Sequence, residues 1–236
     1  MIGNALRAQI VEYAVEMRRS NPLFYKAEDG TMTSQNISRY LANVHYLITH
    51  TPIHLARARD GARARGDHAL ATHYAHKIGE EVGHDEWAER DLSRVAPLLA
   101  APVKREVNAS MRGLVEYIGR VIDEDPALYL AYILFAEHLM VVGGPDWLQL
   151  LEERCGIPRT AMTVVGNHVE LDREHVEEAL ESIDDLVGDP RKLPRMRRVV
   201  AEAIAHFERF STQVTETEVS DEGRPACGAD RHVSAA

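Results

Sequence analysis

Apolar residues recur along most of this chain with the three- and four-residue spacing of amphipathic α-helices. In the first predicted helix, over about residues 4–19, they include Leu6, Ile10, Ala14 and Met17. At 3.6 residues per turn these positions fall on one face. The sequence lacks the alternating, period-two segments between hairpin turns that indicate strands. The pattern therefore predicts an all-α fold.

Proline and glycine divide this pattern into about seven helices joined by short loops. The segment 21–33 is expected to be a loop, and Pro52 is expected to bend the second helix. The predicted helices cover about residues 4–19, 34–65, 68–95, 103–123, 125–143, 160–187 and 195–212, with a short helical piece around 147–154. Helices in this order predict a single-domain antiparallel helical bundle over residues 1–211.

The C-terminal segment differs in composition from the rest of the chain. From Thr212 to Ala236, Ser, Thr, Glu, Gly and Asp dominate, and apolar residues are sparse. Such a segment buries too little apolar surface to offset the entropy lost on ordering. We expect residues 212–236 to form a disordered tail outside the helical domain.

Charge and cysteine content narrow the classes of function. The 27 Lys and Arg residues against 37 Asp and Glu give a formal charge of −10, which disfavours binding to nucleic acid phosphates. The two cysteines, Cys155 and Cys227, form neither a disulfide framework nor a zinc-ribbon spacing. The N-terminus has charges within its apolar residues, unlike a signal peptide, and the most apolar run, 128–142, is short for a membrane span. We expect a cytoplasmic protein without a membrane partner.

A first cluster of metal-ligating residue types lies near the end of the third predicted helix. On a continuous helix Glu81 and His84 are about 300° apart, hence neighbours on one face, and Glu80 also lies one turn from His84. A carboxylate and an imidazole one turn apart suit iron or manganese. Taken alone, however, this cluster is explained more simply as a solvated, salt-bridged face.

A second cluster has the spacing His168-x3-Asp172-x2-His175 on the predicted helix 160–187. All three side chains fall within about 60° of arc on an α-helix. A polar outer face is the alternative explanation, because the neighbouring residues are also charged. Two imidazoles with a carboxylate between them favour a metal site.

A third feature is a single acidic residue in the most apolar helix. Residues 128–142 read LYLAYILFAEHLMVV, in which Glu137 has Ile133, Leu134, Met140 and Val141 as its one-turn neighbours. An ionised glutamate there is costly unless it is paired, neutralised or bound to a cation. The alternative, a narrow solvent-exposed stripe, fits these neighbours poorly.

Together these clusters supply three carboxylates and three histidines on three predicted helices, the kind of set with which helical bundles hold two iron or manganese ions. Their order resembles the haem-oxygenase-like diiron oxidases and oxygenases, which share a helical fold with haem oxygenase and the thiaminase-like TenA proteins. The resemblance extends over about residues 1–210 and includes the phrases Asn21–Phe24, Arg39–Asn43 and Glu80–Asp85.

The resemblance implies a cofactor of two iron ions and O2 as co-substrate. The iron ligands it implies are Glu81, His84, Glu137, His168, Asp172 and His175, and the three carboxylates among them are the candidate catalytic residues. It also implies a homodimer. The short Glu-x2-His spacing resembles that of the fatty-acid-decarboxylating branch, but a spacing alone does not identify the substrate.

The expected function is O2-dependent oxidation of a small molecule in specialised metabolism. N-oxygenation of an amine, oxidative C–C cleavage and desaturation all fit, with an external electron donor as a candidate partner. Polar groups on the helices over 34–65 and 68–95 favour an amine.

Two other functions stay open at this point. One is a metal-free helical binding protein, and the other is a TenA-like enzyme with Cys155 as nucleophile. Cys155 lies at a predicted helix end without an activating base nearby in sequence, which favours a structural role. A further set of residues is expected to pack in the core or lie at the surface, although some could line a substrate cavity: His45, His50, His54, His76, Tyr40, Tyr46, Tyr129 and Tyr132.

Overall fold

The computed structural model describes residues 1–99 and 106–216, and within these ranges the chain is helical with no strand. The helices are α1 Ile2–Ser20, α2 Pro22–Glu28, α3 Ser34–Ala64, α4 His68–Glu81, α5 Asp85–Val95, α6 Ala109–Glu124, α7 Tyr129–Cys155, α8 Thr163–Ser182 and α9 Leu193–Thr215. A short π-helical turn, Ile183–Val187, continues α8. The predicted all-α class is confirmed.

Helix α7 forms the centre of the bundle. It packs against α1, α2, α8 and α9, with its longest contact along α8, while α3 covers α4, α5 and α6. Leu130, Leu134 and Leu151 of α7 are fully buried, and each buried leucine stabilises the fold by about 1.5–3 kcal/mol. Pro126–Cys155 is long and apolar enough to cross a membrane by length and composition, but 72% of its most apolar window is buried inside the protein. That burial is also what the core helix of a bundle shows.

The expected loop over 21–33 contains a helix instead, α2. Asn21 caps it, because its side chain accepts a hydrogen bond from the Leu23 amide at 2.9 Å. Pro22 then occupies the first helical position, where its missing N–H costs nothing. The same two residue types that indicate a loop are therefore also those that begin a short helix.

The predicted helix over 68–95 is interrupted at Val82–His84. Helix α4 ends at Glu81, and α5 begins at Asp85. Gly83 between them has φ +91, a left-handed conformation that glycine adopts without the penalty other residues incur. The prediction of one continuous helix was wrong at the point where the first metal cluster lies.

The predicted helix end at 143–145 was also wrong, since α7 continues through this segment to Cys155. The glycines are required there for close packing. A Cβ at Gly143 would lie 2.9 Å from Met17 Cε, and one at Gly144 would lie 2.5 Å from Val169 Cγ2. Gly-Gly-Pro would by itself favour the end of a helix, but tertiary contact with α1 and α8 keeps this segment helical.

We expect Gly144→Ala to lower the free energy of unfolding by about 1–3 kcal/mol, because the new methyl group overlaps Val169 in the α7–α8 contact. Gly166→Ala in α8 is the matched control, since a Cβ at that position meets nothing within 4 Å. It should stabilise the chain by about 0.5–1 kcal/mol through helix propensity. Urea unfolding of both variants measures the difference, and equal effects would contradict this account.

Helix α9 extends past the predicted domain boundary at residue 211. It ends at Thr215, and both Val214 and Thr215 are buried. The packed region therefore includes the first residues of the segment expected to be disordered. The rest of that segment, 217–236, lies outside the described residues, as does the start of the helix predicted over 103–123.

Candidate metal centre

The break between α4 and α5 brings Glu81 and His84 together. Glu81 is the last residue of α4, and His84 directly precedes α5. His84 Nδ1 lies 3.2 Å from Glu81 Oε2, and the His84 ring stacks on Trp87 with 4.1 Å between centroids. The two residues are adjacent, as expected, but the glycine turn at 83 and not a shared helix face makes them so.

Helix α8 carries His168, Asp172 and His175 on one face, as their spacing predicts. Asp172 is buried and His168 and His175 are partly buried, which excludes a fully solvated outer face. His168 Nδ1 lies 2.6 Å from the Val164 carbonyl oxygen and must donate to it, because a carbonyl only accepts. That bond leaves Nε2 as the free nitrogen with a lone pair, the usual arrangement in a metal-ligating histidine.

Glu137 of α7 is buried, with 7% of its surface exposed. Its Oε1 accepts a hydrogen bond from Lys77 Nζ at 3.2 Å, while its Oε2 is buried without a hydrogen-bond partner. Burial raises the pKa of Glu137 to about 7, against the opposing effect of Lys77. The alternative that fitted the sequence poorly, a solvent-exposed stripe containing Glu137, is therefore excluded.

The six residues form two neighbouring groups of three. Glu81, His84 and His168 make the first triad, and Glu137, Asp172 and His175 make the second triad; each offers three ligand atoms within 4.8 Å of one another. Ligands on opposite sides of one ion, with bonds of about 2.0–2.2 Å, lie about 4.2 Å apart. The distances between the ligand atoms of each triad are therefore close to those around a single bound ion.

Electrostatic interactions within the triads also suit a cation. Burial alone would raise the pKa of Glu81, but His84 and His168 outweigh it and hold the pKa below its ordinary value. Contact with the Asp172 carboxylate, whose Oδ1 lies 3.4 Å from His175 Nδ1, raises the pKa of His175. In both triads the carboxylate and imidazole groups therefore lie close enough to interact.

The donor set passes a simple test of fit to a transition metal. Buried polar atoms in proteins are almost always hydrogen-bonded, yet Glu137 Oε2, His84 Nδ1 and His175 Nδ1 are buried here without hydrogen bonds. Each triad combines carboxylate and imidazole donors without cysteine, which suits iron or manganese better than a structural zinc site. The residues fit the group that the sequence predicts.

Lys77 of α4 is a part of this site that the sequence reasoning missed. It is 1% exposed, and its Nζ lies 3.0 Å from Glu80 Oε2 and 3.2 Å from Glu137 Oε1. Burial lowers the pKa of Lys77, but the carboxylates of Glu137 and Glu80 outweigh it, so the pKa is raised. The available signal was its position one turn before Glu80 and Glu81 on the same helix.

Glu80 lies elsewhere than its sequence position suggests. It contacts Lys77 and His76 rather than His84, and its Oε2 is 3.8 Å from His175 Nε2. Together with Glu178, His76 and Glu80 form a third, more exposed group whose ligand atoms lie within 4.8 Å of one another. Glu80 therefore borders the second triad from its solvent side.

A cavity of about 180 Å³ opens onto the site. Glu81, Glu137, His168 and Asp172 line it. The other lining residues are mainly apolar side chains of five helices, among them Val44, Leu47, Ile48, Leu114, Ile133, Leu139, Val165, Phe207 and Phe210. The α3 residues at the cavity are thus mostly apolar, whereas polar groups on this helix were the basis for expecting an amine.

The remaining candidates fall mostly outside the cavity. Three tyrosines, Tyr40, Tyr129 and Tyr132, line it, while His45, His50, His54 and Tyr46 are not among its lining residues. His54 is buried, and burial with the nearby His50 lowers its pKa to about 4. His54 is thus a neutral side chain packed in the core, one of the two alternatives expected for it.

Cys155 lacks the surroundings of an activated nucleophile. Its thiol donates a weak hydrogen bond to the Ala27 carbonyl at 3.5 Å, and burial raises its pKa. A reactive cysteine requires the opposite, a lowered pKa. Cys155 does not line the cavity, so the structure favours a packing role.

No protein-family model matches this chain. No curated protein matches it either. Solved structures do: a domain of unknown function with a haem oxygenase-like fold from Shewanella denitrificans aligns with a TM-score of 0.77 at 16% identity, over 89% of this chain and 90% of its own. A TenA homologue from Pseudomonas syringae aligns with a TM-score of 0.64 at 16% identity, over 90% of this chain and 89% of its own.

A CADD-like protein of unknown function from Nostoc punctiforme is also similar, with a TM-score of 0.66 at 13% identity over 90% of this chain and 96% of its own. Identities this low establish the architecture and no more. The chain has a haem oxygenase-like, TenA-like fold.

Proposed function

We propose that this protein is a two-metal, O2-dependent oxidase or oxygenase that acts on a small molecule. The observation that carries the proposal is the pair of neighbouring carboxylate–histidine triads bordering one cavity. A pair of iron ions, when bound, would supply the reduction of O2 and the oxidising step. The protein would supply ligand geometry, a dry pocket and placement of the substrate.

Each triad has a distinct task in this proposal. Glu81, His84 and His168 would hold one ion, and the second triad would hold the other. The bond from His168 Nδ1 to the Val164 carbonyl fixes the ring and leaves Nε2 as the nitrogen that would bind the first ion. Such outer hydrogen bonds orient ligands and raise their basicity.

The lining of the cavity supports a substrate with an apolar body. Side chains such as Leu47, Ile133 and Phe207 offer favourable burial to alkyl groups and leave a polar group unsatisfied unless it reaches the metal ligands. An aliphatic carboxylic acid has this layout, and its charged end would lie at the end of the cavity where Glu81, Glu137, His168 and Asp172 line it. We therefore propose oxidative C–C cleavage or desaturation ahead of N-oxygenation of an amine.

The test is O2 consumption by protein loaded with Fe(II) under anaerobic conditions. Medium-chain aliphatic acids should accelerate O2 uptake at least tenfold over the protein alone, and short polar amines should not. A reversed preference would restore the amine hypothesis. No uptake together with no bound iron would favour the metal-free binding protein.

Filling the cavity should separate substrate binding from metal binding. Val44→Phe places a larger side chain at the cavity wall and is expected to reduce acid-triggered O2 uptake at least tenfold without changing bound iron. Val15→Phe, at an exposed position of α1, is the matched control and should keep wild-type uptake. Equal rates in the two variants would exclude this cavity as the substrate site.

A further inference from the structure

Lys77 places a positive charge inside the candidate metal centre. Its ammonium group lies among three carboxylates: Glu80 at 3.0 Å, Glu137 at 3.2 Å and Glu178 at 3.9 Å. A lysine this deeply buried is stable only when such partners compensate its lost hydration. The three carboxylates therefore form a cation-binding site, and the cation that they bind in this structure is the ammonium group of Lys77.

The ammonium group and a metal ion in the second triad need the same carboxylate. Glu137 is one of the three ligands of that triad, and its Oε1 already accepts from Lys77. Two cations held within a few ångströms of one carboxylate repel each other strongly at low dielectric. In the first triad the neighbour of the carboxylate is itself a ligand, because His84 Nδ1 lies 3.2 Å from Glu81 Oε2.

The two other carboxylates offer the ammonium group a place to move. Glu80 and Glu178 lie outside both triads, on α4 and α8. Their side chains are 23% and 39% exposed, against 9% for Glu137. A shift of the flexible lysine side chain towards them would release Glu137 while keeping the charge paired.

On the basis of the proposed function, we propose that Lys77 is an internal cation that competes with the second metal ion for Glu137. Glu80 and Glu178 receive its ammonium group when that ion binds. The two triads therefore fill in order, the first triad with Glu81, His84 and His168 before the second. Lys77 acts as a positioning residue that sets the affinity of the second triad and keeps it neutralised without metal.

Calorimetric titration of the chelator-treated full chain with Mn(II) tests this order. We expect wild-type protein to bind two ions, the second at least about tenfold more weakly than the first. Lys77→Met, which keeps the length and removes the charge, should tighten the second step at least tenfold and leave the first unchanged. The same variant without metal should unfold at a lower temperature, because Glu137 loses its partner.

The opposite signs of these two effects distinguish competition from a structural role. If Lys77 only supports the fold, Lys77→Met would lower both thermal stability and metal affinity, and the proposal would be wrong. Wild-type protein that binds no Mn(II) would overturn the proposed function as well. Two ions bound with equal affinity in both proteins would leave the proposed function intact and overturn the competition alone.

The receiving role of Glu178 has its own test. Glu178→Gln should weaken the second Mn(II) step several-fold, since the displaced ammonium group loses a partner. Glu177→Gln is the matched control, because Glu177 is exposed and pairs with Arg7 instead. In the Lys77→Met background Glu178→Gln should have no effect on the second step, and an undiminished effect there would contradict the proposal.

Discussion

Replacing Asp172 or His175 with alanine is expected to abolish O2-dependent turnover while leaving the helical content of the chain nearly unchanged. Each side chain supplies one of the three ligand atoms of the second triad, and an ion held by two protein ligands is lost readily. The remainder of α8 keeps its packing against α7, where Val165 and Val169 lie beside Gly144, and keeps Val176 buried. Substrate-triggered O2 consumption measures turnover, and far-UV circular dichroism measures helicity.

Glu170→Ala provides the control for these two variants. Glu170 lies on the same helix, but its side chain is 72% exposed and forms an exposed pair with Arg173 at 3.8 Å. It should keep the wild-type rate, because exposed ion pairs contribute little. Wild-type turnover in Asp172→Ala and His175→Ala would remove these residues from the site, whatever the helicity.

The helical architecture was predictable because it depends on a signal repeated along the whole chain. Apolar positions at helical spacing identify α1, α3, α8 and α9 to within a few residues, whereas α6 begins at Ala109 instead of about residue 103. The helix boundaries that were predicted wrongly depend on single residues. Asn21 and Pro22 begin α2 instead of a loop, and Gly143 and Gly144 allow close contact with α1 and α8 instead of ending α7.

In the candidate site, too, the sequence predicted what lies on one helix better than what depends on a break in the chain. The face shared by His168, Asp172 and His175 follows from their spacing on one helix, so α8 needed no tertiary information. The contact between Glu81 and His84 was predicted from a helix that the structure breaks at Gly83. Residues three apart lie close both on a helix and across a tight turn, which is why the wrong local structure still gave the right neighbours.

Lys77 escaped prediction because its role depends on another helix. In the sequence it is one charged residue among many near Glu80 and Glu81, consistent with a solvated face. Only the packing of α4 beside α7 and α8 buries its ammonium group against Glu137. A pattern on one helix cannot distinguish a buried charge from an exposed one when the compensating partner lies 60 residues away in sequence.

Metal binding is expected to raise the midpoint of thermal unfolding by a large amount. An ion at 100 times its dissociation constant stabilises a folded protein by about 2.7 kcal/mol, provided that the unfolded chain does not bind it. With each triad at 100 times its own dissociation constant, the two would contribute about 5 kcal/mol, which for a chain of this size corresponds to a shift of about 10–20 °C. Differential scanning calorimetry with and without Mn(II) measures this shift directly.

The two triads can be assigned separately by single substitutions. His84→Ala removes a ligand of the first triad only, and His175→Ala removes one of the second only. Each variant should bind one Mn(II) ion and keep part of the stabilisation, with more kept in His175→Ala than in His84→Ala because the first triad binds the ion more tightly. Ca(II), which prefers all-oxygen sites, should shift the wild-type midpoint far less than Mn(II). If either histidine variant retained the full shift, that histidine would not be a ligand, and a shift lost entirely in both would mean that the six residues form one interdependent site instead of two.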